Sequence, residues 1–150
     1  MYRSIVVVVT ISVSCLLNIS GCDGSADSSQ LQFILPNHFR GVFVISEDPN
    51  APPATVGGDG VYRLRVPKSA RIKVQDTSFL NLIGSMKAKY VNGGRLPAMT
   101  LNSQPPYSDE VSLNIVRGDS DGSFYFFVGT DRDKAALYKS GDLELGGVKD

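Results

Sequence analysis

From Leu31 onward, short hydrophobic runs alternate with turn-forming residues. In "ARIKVQ", Ile72 and Val74 lie on one side of an extended chain, and Arg71 and Lys73 lie on the other. The same alternation occurs in "GVYRLRV", "SMKAKYV" and "EVSLNIV". Period two is typical of a strand with one buried and one solvated face. The pattern therefore predicts a series of short β-strands.

Turn signals connect several of these runs. "NGG" at 92–94 predicts a hairpin, because its residues tolerate positive φ. "RGDSDG" at 117–122 predicts a second hairpin between "EVSLNIV" and "SFYFFVG". The latter run is apolar on both faces and predicts a central strand.

One segment has the signals of a helix. Thr130 and Asp133 have the spacing of a capping box, and Gly141 supplies a stop. Three side chains are expected to face the sheet: Ala135, Leu137 and Tyr138. The last eight residues, "LELGGVKD", are expected to fray, and no internal repeat is visible.

Together these elements predict an all-β protein, a β-sandwich of about seven short antiparallel strands with one short C-terminal helix. Residues 31–130 should form two packed sheets. The alternation predicts these core residues: Phe43, Ile45, Leu64, Val66, Ile72, Val74, Leu113, Ile115, Phe124 and Phe126.

The amino-terminal pattern differs from the rest. Arg3 precedes a 13-residue apolar run at 5–17, which is short for a bilayer span of roughly 20 residues. A positive residue, a short apolar run and small residues are typical of a secretory signal peptide. "ISGC" at 19–22 resembles the lipobox of bacterial lipoproteins.

That resemblance implies cleavage after residue 21 and lipidation of Cys22. The predicted organisation is a signal peptide at 1–21, a flexible tether at 22–30 and a β-sandwich domain at 31–150. Asp23 resembles an inner-membrane retention signal of some Gram-negative bacteria, or it simply begins the polar tether. Other interpretations of the amino terminus are an uncleaved anchor, an ordinary secreted protein and a buried apolar strand.

Composition then excludes several classes of site. The only cysteines are Cys15 and Cys22, so the lipidated mature domain has no disulfide, thiol nucleophile or thiolate ligand. Fifteen Lys and Arg balance fifteen Asp and Glu. No run of Lys or Arg suggests a polybasic patch, so we expect no nucleic-acid binding and no basic membrane-binding patch.

Three segments resemble an uncharacterised domain family of small bacterial lipoproteins: Phe33–Ile45, Gly60–Pro67 and Phe126–Thr130. After Pro67, Ala70 stands where a Gly is expected. Because Ala is disfavoured at positive φ, the resemblance does not define the type of turn at this position. The stretch 41–67 also resembles the first hairpin of transthyretin-like or carboxypeptidase-regulatory-like sandwiches. Neither resemblance implies an activity, and both imply a β-sandwich.

The candidates for chemistry are few. His38 is the single histidine, and "PNHFRG" looks like a turn, so we expect no catalytic triad and no zinc site. Asp109 and Glu110 are adjacent and would point to opposite faces of a strand, which suits a glycosidase pair poorly. Asp119 and Asp121 match only part of a calcium loop. Tyr107 is either a platform on which a sugar could stack or simply an exposed Tyr in a rigid loop.

We therefore expect a non-catalytic binding or structural module of the cell envelope, without cofactor or metal. It would be held at a bacterial membrane by lipid on Cys22, on the extracytoplasmic side, with a protein partner in the envelope as one option. The alternative is an envelope hydrolase that acts on glycan or peptide.

Overall fold

The computed structural model describes residues 29–98 and 108–148, which form two β-sheets with a shared core and one helix. The strands are β1 (Ser29–Leu35), β2 (Phe39–Glu47), β3 (Val61–Arg65), β4 (Arg71–Val74), β5 (Ile83–Tyr90), β6 (Arg95–Leu96), β7 (Ser112–Gly118), β8 (Phe124–Gly129) and β9 (Gly147–Val148). The helix α1 spans Asp131–Ser140, and a short 3-10 helix spans Ser78–Leu82. The strand β1 begins at Ser29, inside the segment predicted as a tether. No helix in these two ranges is long and apolar enough to cross a bilayer.

Sheet I has the strand order β3-β1-β5-β6, and sheet II has the order β4-β2-β8-β7, with β9 paired to β2. β1 is parallel to both β3 and β5, and β2 is parallel to β4. The predicted purely antiparallel arrangement is therefore wrong, although both predicted hairpins are confirmed as β5–β6 and β7–β8. β8 is central in sheet II, as its apolar sequence predicts.

The parallel pairs arise because the first turns do not make hairpins. The turn after β1 and the turn after β3 each carry the chain from sheet I to sheet II. In each turn an amide donates to the carbonyl of a proline three residues earlier, from Phe39 to Pro36 (3.2 Å) and from Ala70 to Pro67 (3.0 Å). The structure thus contains two stacked β-arches, a repeat that the sequence analysis did not detect.

Each arch has a residue with positive φ that is not glycine. His38 has φ 61° and Ala70 has φ 56°, a left-handed conformation that costs L-residues free energy. Glycine adopts a positive φ without strain, so the backbone at position 70 agrees with the expectation of a Gly there. His38 is exposed, whereas Ala70 is fully buried.

Three phenylalanines join the sheets at the centre of the core. The ring centroid of Phe33 on β1 lies 4.9 Å from those of Phe43 on β2 and Phe126 on β8, and the latter two stack at 5.2 Å. Nine of the ten predicted core residues are either buried or partly buried and in contact with the core. Ile115 is the exception, with 45% of its surface exposed. It lies on the edge strand β7, where the pairing with β8 becomes irregular.

The helix and the C-terminal segment cover the outer face of sheet II. The capping box of Thr130 and Asp133 and the stop at Gly141 are confirmed. The predicted sheet-facing side of α1 is wrong for Tyr138, which is 48% exposed, and the buried residues of the helix are Asp131 and Lys134. Because α1 lies there, the outward positions of β7 predicted as wet, Ser112 and Asn114, are buried.

The C-terminal segment was expected to fray, but it is paired as far as Val148, the last described residue. β9 pairs with Phe39 and Arg40, and the amide of Gly146 donates to the carbonyl of Val42 at 2.6 Å. This approach requires glycine, because a Cβ at Gly146 would lie 2.1 Å from the carbonyl oxygen of Arg40. With sheet II covered in this way, the outer face of sheet I is the open sheet surface of the described domain.

Candidate binding surface

The outer face of sheet I carries a concentration of positive charge. Its four strands contain five Lys or Arg residues and no Asp or Glu. These residues, which we call the basic face, are Arg63, Arg65, Lys87, Lys89 and Arg95. Each alternates along its strand with residues of the core face, so all five point outward.

Strand register gathers the five cations into two rows. Gln32 on β1 pairs with Arg63 on one side and Lys87 on the other. Two residues further along β1, Ile34 pairs with Arg65 and Lys89 in the same way.

The second row ends at Arg95, which pairs with Lys89. Neighbouring strands are about 4.8 Å apart and alternate residues about 6.6 Å apart, so the α-carbons of the basic face span roughly 14 by 7 Å.

One carboxylate at the edge of the face neutralises part of this charge. The guanidinium of Arg63 forms an ion pair with the carboxylate of Asp59, and this hydrogen bond lowers the pKa of Asp59 to about 2. Lys87 donates to the neutral amide oxygen of Gln30 at 3.2 Å. Within residues 29–98 and 108–148, the remaining cations Arg65, Lys89 and Arg95 have no acidic partner.

A depression of about 500 Å³ lies within the basic face. It is lined by Gln32, Lys87, Lys89 and Arg95, together with the apolar residues Ala88, Leu96 and Pro97. Cationic nitrogens around an open depression suit anionic oxygens, since charge-assisted hydrogen bonds are shorter and stronger than neutral ones. The charge and the open shape of the depression are therefore suited to an anionic ligand.

A second depression, of about 330 Å³, lies on the outer face of sheet II and is a weaker candidate. Its lining includes Arg71, Arg117, Tyr125 and Asp142. Arg117 is already occupied, with Nε 2.7 Å from Asp119 Oδ1 and its guanidinium 5.1 Å from the centroid of the Tyr125 ring. Asp142 adds negative charge, so the site is mixed in sign.

The predicted chemical candidates do not converge on one site. His38 lies exposed at the corner of the first arch. Asp109 and Glu110 precede β7, whereas Asp119 follows the other end of that strand. In the described ranges no three His, Cys, Asp or Glu side chains are arranged to hold a metal ion. Cys22, Asp23 and Tyr107 lie outside the described residues.

"RGDSDG" forms the turn of the β7–β8 hairpin, as predicted. The amide of Asp119 donates to the carbonyl of Ser123 at 2.8 Å, and Gly122 has φ 80°. The Arg117–Asp119 ion pair holds these two charged side chains against each other within the turn. These contacts account for the motif as a turn.

A buried polar cluster under α1 was not predicted. Lys134 is 1% exposed, and its Nζ lies 3.3 Å from Asp131 Oδ1 and 3.4 Å from Asn114 Oδ1. The amide of Ser108 donates to Asp131 Oδ2, which lowers the pKa of that carboxyl, and the Lys134 ammonium lowers it further. Every buried polar side-chain atom of the described residues has a partner, so the cluster is closed and fixes α1 on sheet II.

The basic face corrects the expectation that the chain has no cationic patch. Its five residues are spread over positions 63–95, and no two of them are adjacent in the sequence. A signal was nevertheless present, because the positions opposite the core residues in "YRLRV" and "MKAKY" are all Lys or Arg. Recognising the face requires knowing that β3, β5 and β6 share one sheet.

No protein-family model matches the chain, and no curated protein matches it. Among solved structures, it is similar to a protein described as "Putative Lipoprotein from Bacillus anthracis", with 9% sequence identity and a TM-score of 0.37. The similarity covers 68% of this chain and 70% of that one. The predicted family resemblance stays a prediction.

Proposed function

We propose that this protein is a lipid-anchored module of the bacterial cell envelope and that it binds anionic ligands through the basic face without catalysing a reaction. The observation that carries the proposal is the segregation of charge. The whole chain has a formal net charge of +0, yet the strands of sheet I contain five cations and no acidic residue. A neutral protein gains little general attraction to polyanions, so this local field would determine where they bind.

The anchor in this proposal is Cys22. Its support is the sequence "ISGC" after a short apolar run. Two or three acyl chains contribute ~0.8 kcal/mol per buried CH₂ group, which is enough for stable attachment. The envelope location would bring the domain close to the phosphate-rich surfaces and polymers found there.

The lowered pKa values of several carboxyl groups support a non-catalytic role. General acid-base chemistry needs a group within hydrogen-bond reach of the substrate with a suitably shifted pKa. The carboxyls of Asp48, Asp59 and Asp76 have a lowered pKa because each accepts hydrogen bonds, from Lys73, Arg63 and Ser78 respectively. These shifts keep the groups ionised and are opposite to those of a general acid.

Titration with fluorescent dextran sulfate tests the proposed binding surface. The test variant is Lys87→Ser/Lys89→Ser/Arg95→Ser, which removes three of the five cations. The control, Lys68→Ser/Arg132→Ser/Lys139→Ser, removes three exposed cations that lie elsewhere. Both variants lose the same formal charge, so a difference between them reports position and not net charge.

We expect the test variant to bind at least tenfold more weakly and with a smaller dependence on salt, because screening acts on the cations it has lost. The control should stay within about twofold of the unchanged protein, since distant exposed charges are largely screened. Equal weakening in both variants, or none in the test variant, contradicts the proposal.

A further inference from the structure

We infer that the anionic ligand of the basic face is the headgroup layer of the same membrane that holds the lipid anchor, so that the domain lies with sheet I facing the bilayer. This inference rests on the proposed function. It names the ligand class and adds an orientation, which leaves α1 and the outer face of sheet II directed away from the membrane.

The first argument is the position of β1 in the chain. Cys22 and Ser29, the first residue of β1, are separated by only the six residues 23–28. A flexible chain of six residues has a mean end-to-end distance of about 12–15 Å. Since β1 is an inner strand of sheet I, the anchor joins the domain at the sheet that carries the basic face.

The second argument is the thickness of the domain. Two facing sheets are about 10 Å apart, and a helix packed outside adds about another 10 Å. If α1 faced the bilayer, Ser29 would stand roughly 20 Å above the surface, beyond the mean reach of six residues. With the basic face down, Ser29 lies close to the surface. The length of the linker and the charge therefore favour the same orientation.

The third argument is the shape of the cationic surface. The cations form two rows on an open sheet. The side chain of β1 at the middle of each row is uncharged, Gln32 in one row and Ile34 in the other. A layer of lipid phosphates can meet all of these groups at once, because it is also two-dimensional. Because the tether keeps the lipid headgroups within reach of the basic face, their effective concentration at the face exceeds that of a soluble polyanion.

The effect of the contact is on orientation, since the acyl chains already provide attachment. Each Lys or Arg close to an anionic surface favours the bound arrangement by roughly fivefold. Losing two of them should therefore reduce the preference for the face-down orientation by a factor of about 25.

Lysine labelling on vesicles tests the orientation. The full lipidated protein is reconstituted in phosphatidylcholine vesicles with roughly a third phosphatidylglycerol, and in vesicles of phosphatidylcholine alone. A membrane-impermeant amine reagent then modifies exposed lysines, and mass spectrometry measures the rate at each site. Lys87 and Lys89 report on the basic face, whereas Lys68 and Lys139 are exposed reporters outside it.

We expect labelling of Lys87 and Lys89 to be at least tenfold slower on the anionic vesicles than on the neutral ones, with Lys68 and Lys139 changed by less than about twofold. About 0.5 M NaCl should remove the protection, because the Debye length falls to about 4 Å. The variant Arg65→Ser/Arg95→Ser keeps both reporter lysines and should lose most of the protection. Its matched control, Arg71→Ser/Arg132→Ser, should keep it.

The outcomes separate the two proposals. If Lys87 and Lys89 are unprotected on anionic vesicles while dextran sulfate binding still depends on the basic face, the ligand is a soluble polyanion and the inference is wrong. If both dextran sulfate binding and protection are absent, the proposed function is wrong as well. Equal protection of all four lysines indicates general crowding at the surface and also contradicts the inference.

Discussion

Lys134 Nζ lies 3.3 Å from Asp131 Oδ1 beneath the helix, and the two residues are 1% and 5% exposed. We expect Lys134→Met to lower the free energy of unfolding by about 3 kcal/mol, because it leaves a buried carboxylate without its cation. Urea unfolding at neutral pH measures this. Lys139→Met is the control on the exposed side of the same helix and should cost less than about 0.5 kcal/mol. The double variant Asp131→Asn/Lys134→Met should recover part of the loss, and strictly additive effects would exclude coupling within the pair.

The ion pair at the edge of the basic face predicts a pH dependence. The hydrogen bond from Arg63 holds the pKa of Asp59 at about 2, below its ordinary value of 3.8. Ionised Asp59 therefore stabilises the folded protein above about pH 4, and this contribution is lost as the pH falls through about 2. Carboxyl-detected NMR should show Arg63→Gln returning the Asp59 pKa towards 3.8. Lys73→Gln should instead raise the pKa of Asp48, which Lys73 lowers, and leave Asp59 unchanged.

The C-terminal segment approaches β2 so closely that there is no room for a Cβ atom at Gly146. An alanine there would place its Cβ 2.1 Å from the Arg40 carbonyl, where only backbone could move. We expect Gly146→Ala to release β9 and to lower the free energy of unfolding by about 1–3 kcal/mol. Gly147→Ala is the control, because its Cβ meets no atom within 4 Å. Hydrogen exchange at the amide of residue 146 should accelerate in Gly146→Ala alone.

The predicted lipidation of Cys22 implies a defined mass for the membrane form. The membrane form should begin at Cys22, lack Cys15 and carry diacylglycerol on sulfur and an acyl chain on nitrogen. Intact-mass analysis of the purified membrane fraction measures this. Cys22→Ser should leave an unlipidated precursor, and an unmodified Cys22 in the purified membrane form contradicts the prediction.

Neither His38 nor Asp109 is expected to take part in function. We expect His38→Ala and Asp109→Asn to retain membrane attachment and dextran sulfate binding within about twofold. His38→Gly should raise the free energy of unfolding by up to about 1 kcal/mol, because glycine adopts φ 61° without strain. Loss of binding in either of the first two variants, with folding intact, would assign that residue a functional role.

Local features of the structure were predictable because their signals are local. The capping box at Thr130 and Asp133, the "NGG" hairpin and the alternation around Ile72 depend on neighbouring residues only. Pairing across the sheets was not predictable in this way. Short turns suggested antiparallel hairpins, but Pro36 and Pro67 open corners that carry the chain into the opposite sheet.

The candidate surface escaped the sequence analysis for the same reason. Arg65 and Lys89 become neighbours only because both strands pair with β1. The buried position of Lys134 was missed because a lysine in a helix is ordinarily solvated. Its burial depends on Asn114, which lies twenty residues away on β7.

The place of β1 in sheet I also affects how the protein can assemble. β1 is the first strand of the described residues, yet its two neighbours begin only at Val61 and Ile83. A chain that leaves an export channel amino-terminus first therefore presents β1 without partners until residue 90 has followed. Pairing between such distant segments is slow compared with local hairpin formation. If the chain is exported and lipidated at Cys22, as its amino-terminal pattern predicts, and lipidation precedes folding, sheet I completes its folding at the bilayer surface.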